Sequence, residues 1–487
     1  MSLLLLERAQ QGDQLYRLTT HGSACGLSDP ALPLRAPAPG EQYRFHFDMS
    51  RCIGCRCCEV ACSEQNGIPL AINWRRVGEI EGGTYPYTQR FYLSMGCNHC
   101  LAPSCLQGCP VDAYSKSPET GIVLHNPDAC IGCGYCTWNC SYGVPQYNPE
   151  RGIVGKCDLC HNRLSEGMAP ACANACPEQA IQVELVNIAE WRHDHAAANA
   201  PGMPEADHTL STTRITLPDK ILPDFERADH HRVRPEAAHL PLVAMLVLTQ
   251  LSAGAFLYLS LVPGAGNRAA LAAVLVAFVS LAASTLHLGR PIYAWRALKM
   301  WRRSWLSREV LLFSLFAGAA AGSAVMPRLS GLAALLGFAG VTASAWIYLV
   351  PARPAWNSKY TPIDFYSTAL LLGPLFLGVL GIRTPTLAVV LAGAAQLLNQ
   401  ALKLLVLAAS DEFELRASAR LLTQDLRYAL VVRLGLLIAG GILLPLLGWP
   451  VVAFALSLAG ELLSRYLFFV SVVPKNIAAS FFARRAA

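Results

Sequence analysis

All 18 cysteines of this chain lie between Cys25 and Cys176, and none follows. Sixteen of them form four groups of four: Cys52, Cys55, Cys58, Cys62; Cys97, Cys100, Cys105, Cys109; Cys130, Cys133, Cys136, Cys140; and Cys157, Cys160, Cys172, Cys176. The first and third groups read C-x2-C-x2-C-x3-C, whereas the second and fourth vary the middle gap and keep a closing C-x3-C-P. Three cysteines in one tight loop reach three corners of an iron–sulfur cubane. The fourth, on the helix that follows, faces a neighbouring cluster, so such groups work in pairs. Sixteen ligands suffice for four [4Fe-4S] clusters. Zinc also uses C-x2-C pairs, but with longer spacers between them, and a C-x2-C-x2-C triplet fits it poorly. Cys57 breaks the register and Cys25 stands alone, so both read as spectators. His99, inside CNHC, reads as a supporting donor because its group already has four cysteines.

The rest of the chain sets the surroundings of these groups. At 487 residues it is far too long for a disulfide-stapled secreted scaffold. The N-terminal MSLLLLERAQQGDQ has four leucines before charge, short of the roughly 7 to 15 apolar residues of a signal peptide. Reduced, metal-holding thiols are therefore expected rather than disulfides. A net charge of +6, thinly spread, gives no reason to expect a nucleic-acid partner. Residues 1–43 read as an irregular lead-in and residues 44–190 as the cluster domain. Alternating segments at 121–125 and 180–184 predict the short strands of two stacked ferredoxin-like units. Residues 191–238 lack periodicity and read as an extended linker, laid over a partner subunit.

Residues 239–487 hold most of the apolar excess. Eight apolar stretches, at 240–262, 269–287, 309–326, 329–350, 365–382, 386–409, 429–447 and 449–472, are each near the roughly 20 residues needed to cross a bilayer. The expected fold is an α+β double ferredoxin-like iron–sulfur domain followed by an all-α bundle of eight transmembrane helices. The cluster side carries 14 Lys and Arg between and after the helices, against Arg268, Arg328 and Arg383 on the other side. The positive-inside rule then puts the clusters in the cytoplasm, at a bacterial inner membrane. Paired axial histidines for haem are missing, because His287 is the only histidine after residue 239. His287 ends the second stretch and Glu309 opens the third. A proton-exchanging histidine and a carboxylate are what quinone chemistry needs, although on residue type alone both could simply anchor helix ends. Glu461 and Arg465, four apart, read as an ion pair, and Lys403 and Arg433 as side chains that snorkel.

The segments CIGCRCCEVAC, CNHCLAPSC, CIGCGYCTWNCSYGVPQYN and KCDLCHNRLSEG resemble the four-cluster electron-transfer subunit of the dimethyl sulfoxide reductase family of molybdenum enzymes. STLHLGRPIYAWRAL, SREV and LAGELLSRYLF are similar to the haem-free, eight-helix anchor subunit of the same family. That resemblance implies ligand sets of Cys52, Cys55, Cys58 with Cys176, and of Cys157, Cys160, Cys172 with Cys62. It also implies Cys97, Cys100, Cys105 with Cys140, and Cys130, Cys133, Cys136 with Cys109. Related nitrate reductases carry tryptophan where this chain has Cys133, so a four-iron cluster is implied there. It further implies a separate molybdopterin catalytic subunit, contact with the quinone pool, and a quinol site at His287 and Glu309. A cytoplasmic catalytic side resembles the sulfite dehydrogenase relatives, which pass electrons into quinone; the alternative is the reductive direction. A transporter regulated by a ferredoxin domain would need matched broken helices, and only Gly373-Pro374 qualifies.

Overall fold

The computed structural model describes residues 4–8, 16–20, 31–33, 35–69, 72–221, 225–228, 233–262, 267–383 and 385–476. Cys25 lies outside the described residues. Within the lead-in, Leu4–Arg8 pairs antiparallel with Tyr16–Thr20. The first buried element is the strand Glu41–Asp48, EQYRFHFD, whose alternation turns Phe45 and Phe47 into the core. It pairs antiparallel with Ile181–Asn187, in a register that sets Ile181 against Phe47. This pairing has a direct consequence for the cysteines. Cys52 follows one strand and Cys176 precedes the other, so the two ends of the domain meet. A smaller hairpin does the same for the middle groups: Tyr114–Lys116, after Cys109, pairs with Val123–His125, before Cys130.

The segment from 191 to 238 is built into this domain for part of its length. Arg214–Thr216 adds a parallel strand beside Glu41–Asp48, and Thr209, Ser211, Thr212 and Thr213 are buried. Leu101 N–H donates to Leu210 O (2.9 Å), and the Thr212 hydroxyl donates to Asn98 O (2.6 Å). The sequence misses this because the stretch is held through backbone hydrogen bonds and hydroxyl groups, which leave no apolar periodicity.

Among the described residues, seven helices of the C-terminal half are long and apolar enough to cross a membrane: Leu240–Leu261, Asn267–Thr285, Pro327–Tyr348, Tyr360–Val379, Thr386–Ala409, Arg427–Leu446 and Pro450–Val470. An eighth helix, Trp305–Ser323, occupies the place of the third expected crossing. It begins four residues earlier than its apolar run, so Arg308 and Glu309 sit in its first turns and lower its mean hydropathy. The second helix ends at Thr285, which leaves His287 just beyond it.

Glu461 and Arg465 do not pair with each other. Each finds its partner on another helix: Arg465 Nη1 donates to Asp364 Oδ2 at 2.6 Å, and Glu461 Oε2 accepts from Thr368 (2.6 Å) and Gln396 (2.9 Å). Arg433 does not snorkel. It is 1% exposed and lies 3.8 Å from Glu461 Oε1. Spacing on one helix allowed the Glu461–Arg465 pair, but burial among neighbouring helices offered each group a better partner.

The cluster domain and the helical half are joined through the loop after the second long helix. Gly289 N–H donates to Gly132 O (3.3 Å) and Arg290 N–H to Ile131 O (3.1 Å). The Arg290 and Arg296 guanidinium groups donate to Pro127 O (3.0 Å) and Asp128 O (2.9 Å). Gly289 is required by contact, since a Cβ there would fall 2.1 Å from Gly152 O. Gly289→Val is therefore expected to lower stability by roughly 1–3 kcal/mol, the usual cost of overpacking. Thermal unfolding of the detergent-solubilised protein reads this, and a midpoint equal to that of the parent chain would refute the tight contact.

Candidate functional site

The four cysteine groups share a local backbone design. The residue before the second cysteine has a left-handed conformation in every group: Gly54 (φ 71), His99 (φ 44), Gly132 (φ 68) and Leu159 (φ 61). This turn aims backbone N–H groups at sulfur. Gly132 N–H donates to Cys130 Sγ and Leu159 N–H to Cys157 Sγ, both at 3.4 Å. The closing cysteines use a second device, accepting from the residue four ahead: Ala113 N–H to Cys109 Sγ and Ala180 N–H to Cys176 Sγ, both at 3.3 Å. Such bonds favour a sulfur that carries negative charge, which is the form that ligates iron.

The tertiary structure brings cysteines of different groups around common cavities. Cys52, Cys55, Cys58 and Cys176 line one. Cys97, Cys100, Cys105 and Cys140 line a second, and Cys109, Cys130, Cys133 and Cys136 a third. Cys62 lies within electrostatic reach of Cys157, Cys160 and Cys172. Among the described residues, no three His, Cys, Asp or Glu side chains converge on a single-ion site. Burial pushes the thiols of Cys58, Cys100, Cys133 and Cys160 up to about 12. Iron would have to displace those protons, so loading couples to proton release.

Other side chains complete these sites. Thr209 Oγ1 donates to Cys100 Sγ at 3.1 Å, and Ser94 Oγ lies 3.2 Å from Cys58 Sγ. His99 accepts Val123 N–H at Nδ1 (3.0 Å), and burial, with Lys156 nearby, holds the ring neutral. Its proton therefore sits on Nε2. Cys57 is exposed beside the first group and lines none of the three cavities.

The third group, together with Gly108, Pro110 and Asp112 around Cys109, meets the helical half. Its helix Tyr135–Asn139 places both Tyr135 and Trp138 in the hydrophobic core of the bundle. Trp138 stands 5.4 Å from Trp356, 5.8 Å from Tyr348 and 5.3 Å from His239, measured between ring centroids. Glu309, 8% exposed, has the Ser344 hydroxyl beside it and is within electrostatic reach of Tyr135 and Tyr348. His287 is half-buried, with the Ser284 backbone beside it and His239 within electrostatic reach. Sequence reasoning missed Tyr135, Trp138, His239 and Tyr348. The aromatic residues in CGYCTWNC, against Cys57 and Val60 at the matching positions of the first group, were the available signal.

Comparison with known proteins gives two family matches. Residues 88–185 match the 4Fe-4S dicluster domain, and residues 236–470 match the DMSO reductase anchor subunit (DmsC). The chain is 40% identical over 176 residues to the probable anaerobic dimethyl sulfoxide reductase chain YnfG of Escherichia coli, covering 34% of this chain and 85% of that one. It is 37% identical over 163 residues to the formate dehydrogenase iron-sulfur subunit of Wolinella succinogenes, covering 29% and 80%. Against a sulfite dehydrogenase subunit of Allochromatium vinosum the identity is 34% over 160 residues, covering 28% and 67%.

Proposed function

Because the chain belongs to the iron–sulfur subunit family of dimethyl sulfoxide reductase-type complexes, fused to a DmsC-type membrane anchor, we propose that it carries electrons between a separate molybdopterin catalytic subunit and the quinone pool through four [4Fe-4S] clusters. It is a multi-pass membrane protein. The observation that carries the reading is the insertion of Tyr135 and Trp138, on the helix of Cys136, into the aromatic core of the anchor.

The ligand sets we assign are Cys52, Cys55, Cys58, Cys176; Cys62, Cys157, Cys160, Cys172; Cys97, Cys100, Cys105, Cys140; and Cys109, Cys130, Cys133, Cys136. The cavity linings support three of them directly. When bound, the clusters supply one-electron steps. Their order follows from the pseudo-symmetry of the domain. Ile131 and Trp138 in the third group are buried against the anchor, whereas their counterparts Ile53 and Val60 in the first group are 58% and 62% exposed. The third group's cluster faces the membrane, and the bare twin of that docking face, beside Cys55, suits the catalytic partner.

At the membrane end, Glu309 and His287 are the groups that hold and move protons for a quinone. Tyr135 is within electrostatic reach of both Glu309 and Cys133, and Tyr348 of Glu309. The basic loops support a cytoplasmic cluster domain, with electrons entering quinone. The higher identity to the dimethyl sulfoxide reductase relatives supports the reductive direction as a second reading. Protease added to right-side-out vesicles is expected to spare the cluster domain; its removal would refute this orientation. Glu309→Gln is expected to slow cluster reduction by quinol by roughly 10²-fold or more, within the range for a positioned acid or base. Dithionite should still reduce all clusters. Wild-type quinol kinetics in this variant would remove Glu309 from the site.

A further inference from the structure

Arg75 is a fully charged side chain, 2% exposed, in the interior of the cluster domain. Its Nη1 donates to Ser94 O (3.1 Å) and Ser94 Oγ (3.2 Å), and its guanidinium carbon lies 4.5 Å from the Phe45 ring centroid. Its guanidinium also faces the Cys172 thiol, and among the described residues no carboxylate forms an ion pair with it. A lone guanidinium in so dry a place needs negative charge nearby. The groups around it are cysteines of two different proposed ligand sets: Cys172, Cys157 and Cys62 of one, and Cys58 of the other. Ser94 links it to the latter, since the hydroxyl that accepts from Arg75 also lies 3.2 Å from Cys58 Sγ.

The middle cysteine groups are arranged differently. Lys156, also buried, donates to the Val123 and Cys157 carbonyls, and its charge acts on Cys97 and Cys105. Arg76 donates to Tyr142 O (3.0 Å) and Gly143 O (2.6 Å) beside Cys140. Arg75 therefore acts chiefly on the first and fourth groups, while its charge also reaches His99 beside Cys100.

We infer that Arg75 is a positioning residue that raises the reduction potentials of the two clusters it separates, those of Cys52/Cys55/Cys58/Cys176 and Cys62/Cys157/Cys160/Cys172. This rests on the cluster assignment above. A cluster gains one negative charge when reduced, and a fixed, poorly solvated positive charge beside it favours the reduced form of both at once. Because the guanidinium stays charged at every accessible pH, the effect does not titrate away.

The test is an EPR-monitored redox titration of the full-length protein carrying Arg75→Gln, with iron content measured alongside. Two of the four clusters should become harder to reduce by at least tenfold in the reduction equilibrium, about 59 mV each for a one-electron couple, while the other two stay in place. Arg75→Lys should restore most of the shift. Ser94→Ala, a milder change, should move only the cluster of Cys58. Unchanged potentials, an equal shift of all four clusters, or loss of iron from the two sites would overturn the inference. Absence of cluster signals from the parent chain would instead defeat the cluster assignment on which it stands.

Discussion

On the proposed ligand sets, replacing Cys136 by serine is expected to remove the cluster assigned to the membrane end and to abolish electron exchange with quinone, while the other three proposed clusters remain reducible by dithionite. Cys136 is 7% exposed and lines the cavity shared with Cys109, Cys130 and Cys133. A serine hydroxyl is a far poorer ligand for iron than a thiolate, and the site is too enclosed for water to substitute freely. The helix carrying Cys136 also carries Tyr135 and Trp138, which remain packed in the anchor. The variant therefore separates breaking the wire from undocking the domain. EPR of the dithionite-reduced protein and stopped-flow reduction by quinol read the two effects independently. Quinol reducing the variant's remaining clusters at the parent rate would mean that electrons enter elsewhere.

Asp364→Leu should be the most damaging single change in the helical half. It would leave Arg465, 0% exposed, without the carboxylate that it holds at 2.6 Å. Removing one partner of a buried ion pair typically costs about 3–5 kcal/mol, because the remaining charge is left unpaired. Gln250 and Thr368 still accept from Arg465 Nη2, each at 3.0 Å, but neither carries charge. The double variant Asp364→Leu with Arg465→Leu should recover part of the loss, since it removes both charges together. Thermal unfolding of the four proteins of this cycle in detergent gives the coupling. A coupling near zero would mean that water, rather than Asp364, supports the arginine.

How legible these features were follows from the range over which each is decided. The chemistry of the cysteine groups is largely local: in the first and third, three thiols fall within seven residues, and in all four a left-handed residue precedes the second cysteine. Gly54 and Gly132 show that requirement openly in the sequence. His99 and Leu159 meet the same backbone demand without glycine and so conceal it. The long helices were equally visible, because crossing a bilayer needs a continuous apolar run whatever the neighbours are. The third helix starts earlier than its apolar run suggested: Trp305 to Arg308 lay outside the expected stretch of 309–326 but form the first turn of Trp305–Ser323.

The sequence by itself thus determined that sixteen thiols stand at iron–sulfur spacing, that an apolar half follows them, and which loops are basic. Tertiary structure decided which thiols share a cavity, because that depends on Glu41–Asp48 pairing with a strand about 130 residues away. It also decided that Tyr135 and Trp138 enter the anchor, that Arg465 chooses Asp364 over Glu461, and that Arg75 lies buried without a carboxylate partner between two cysteine groups. In each case the deciding energy is the cost of burying a charge, a ring or a backbone donor without a partner. That cost is settled only when distant segments meet.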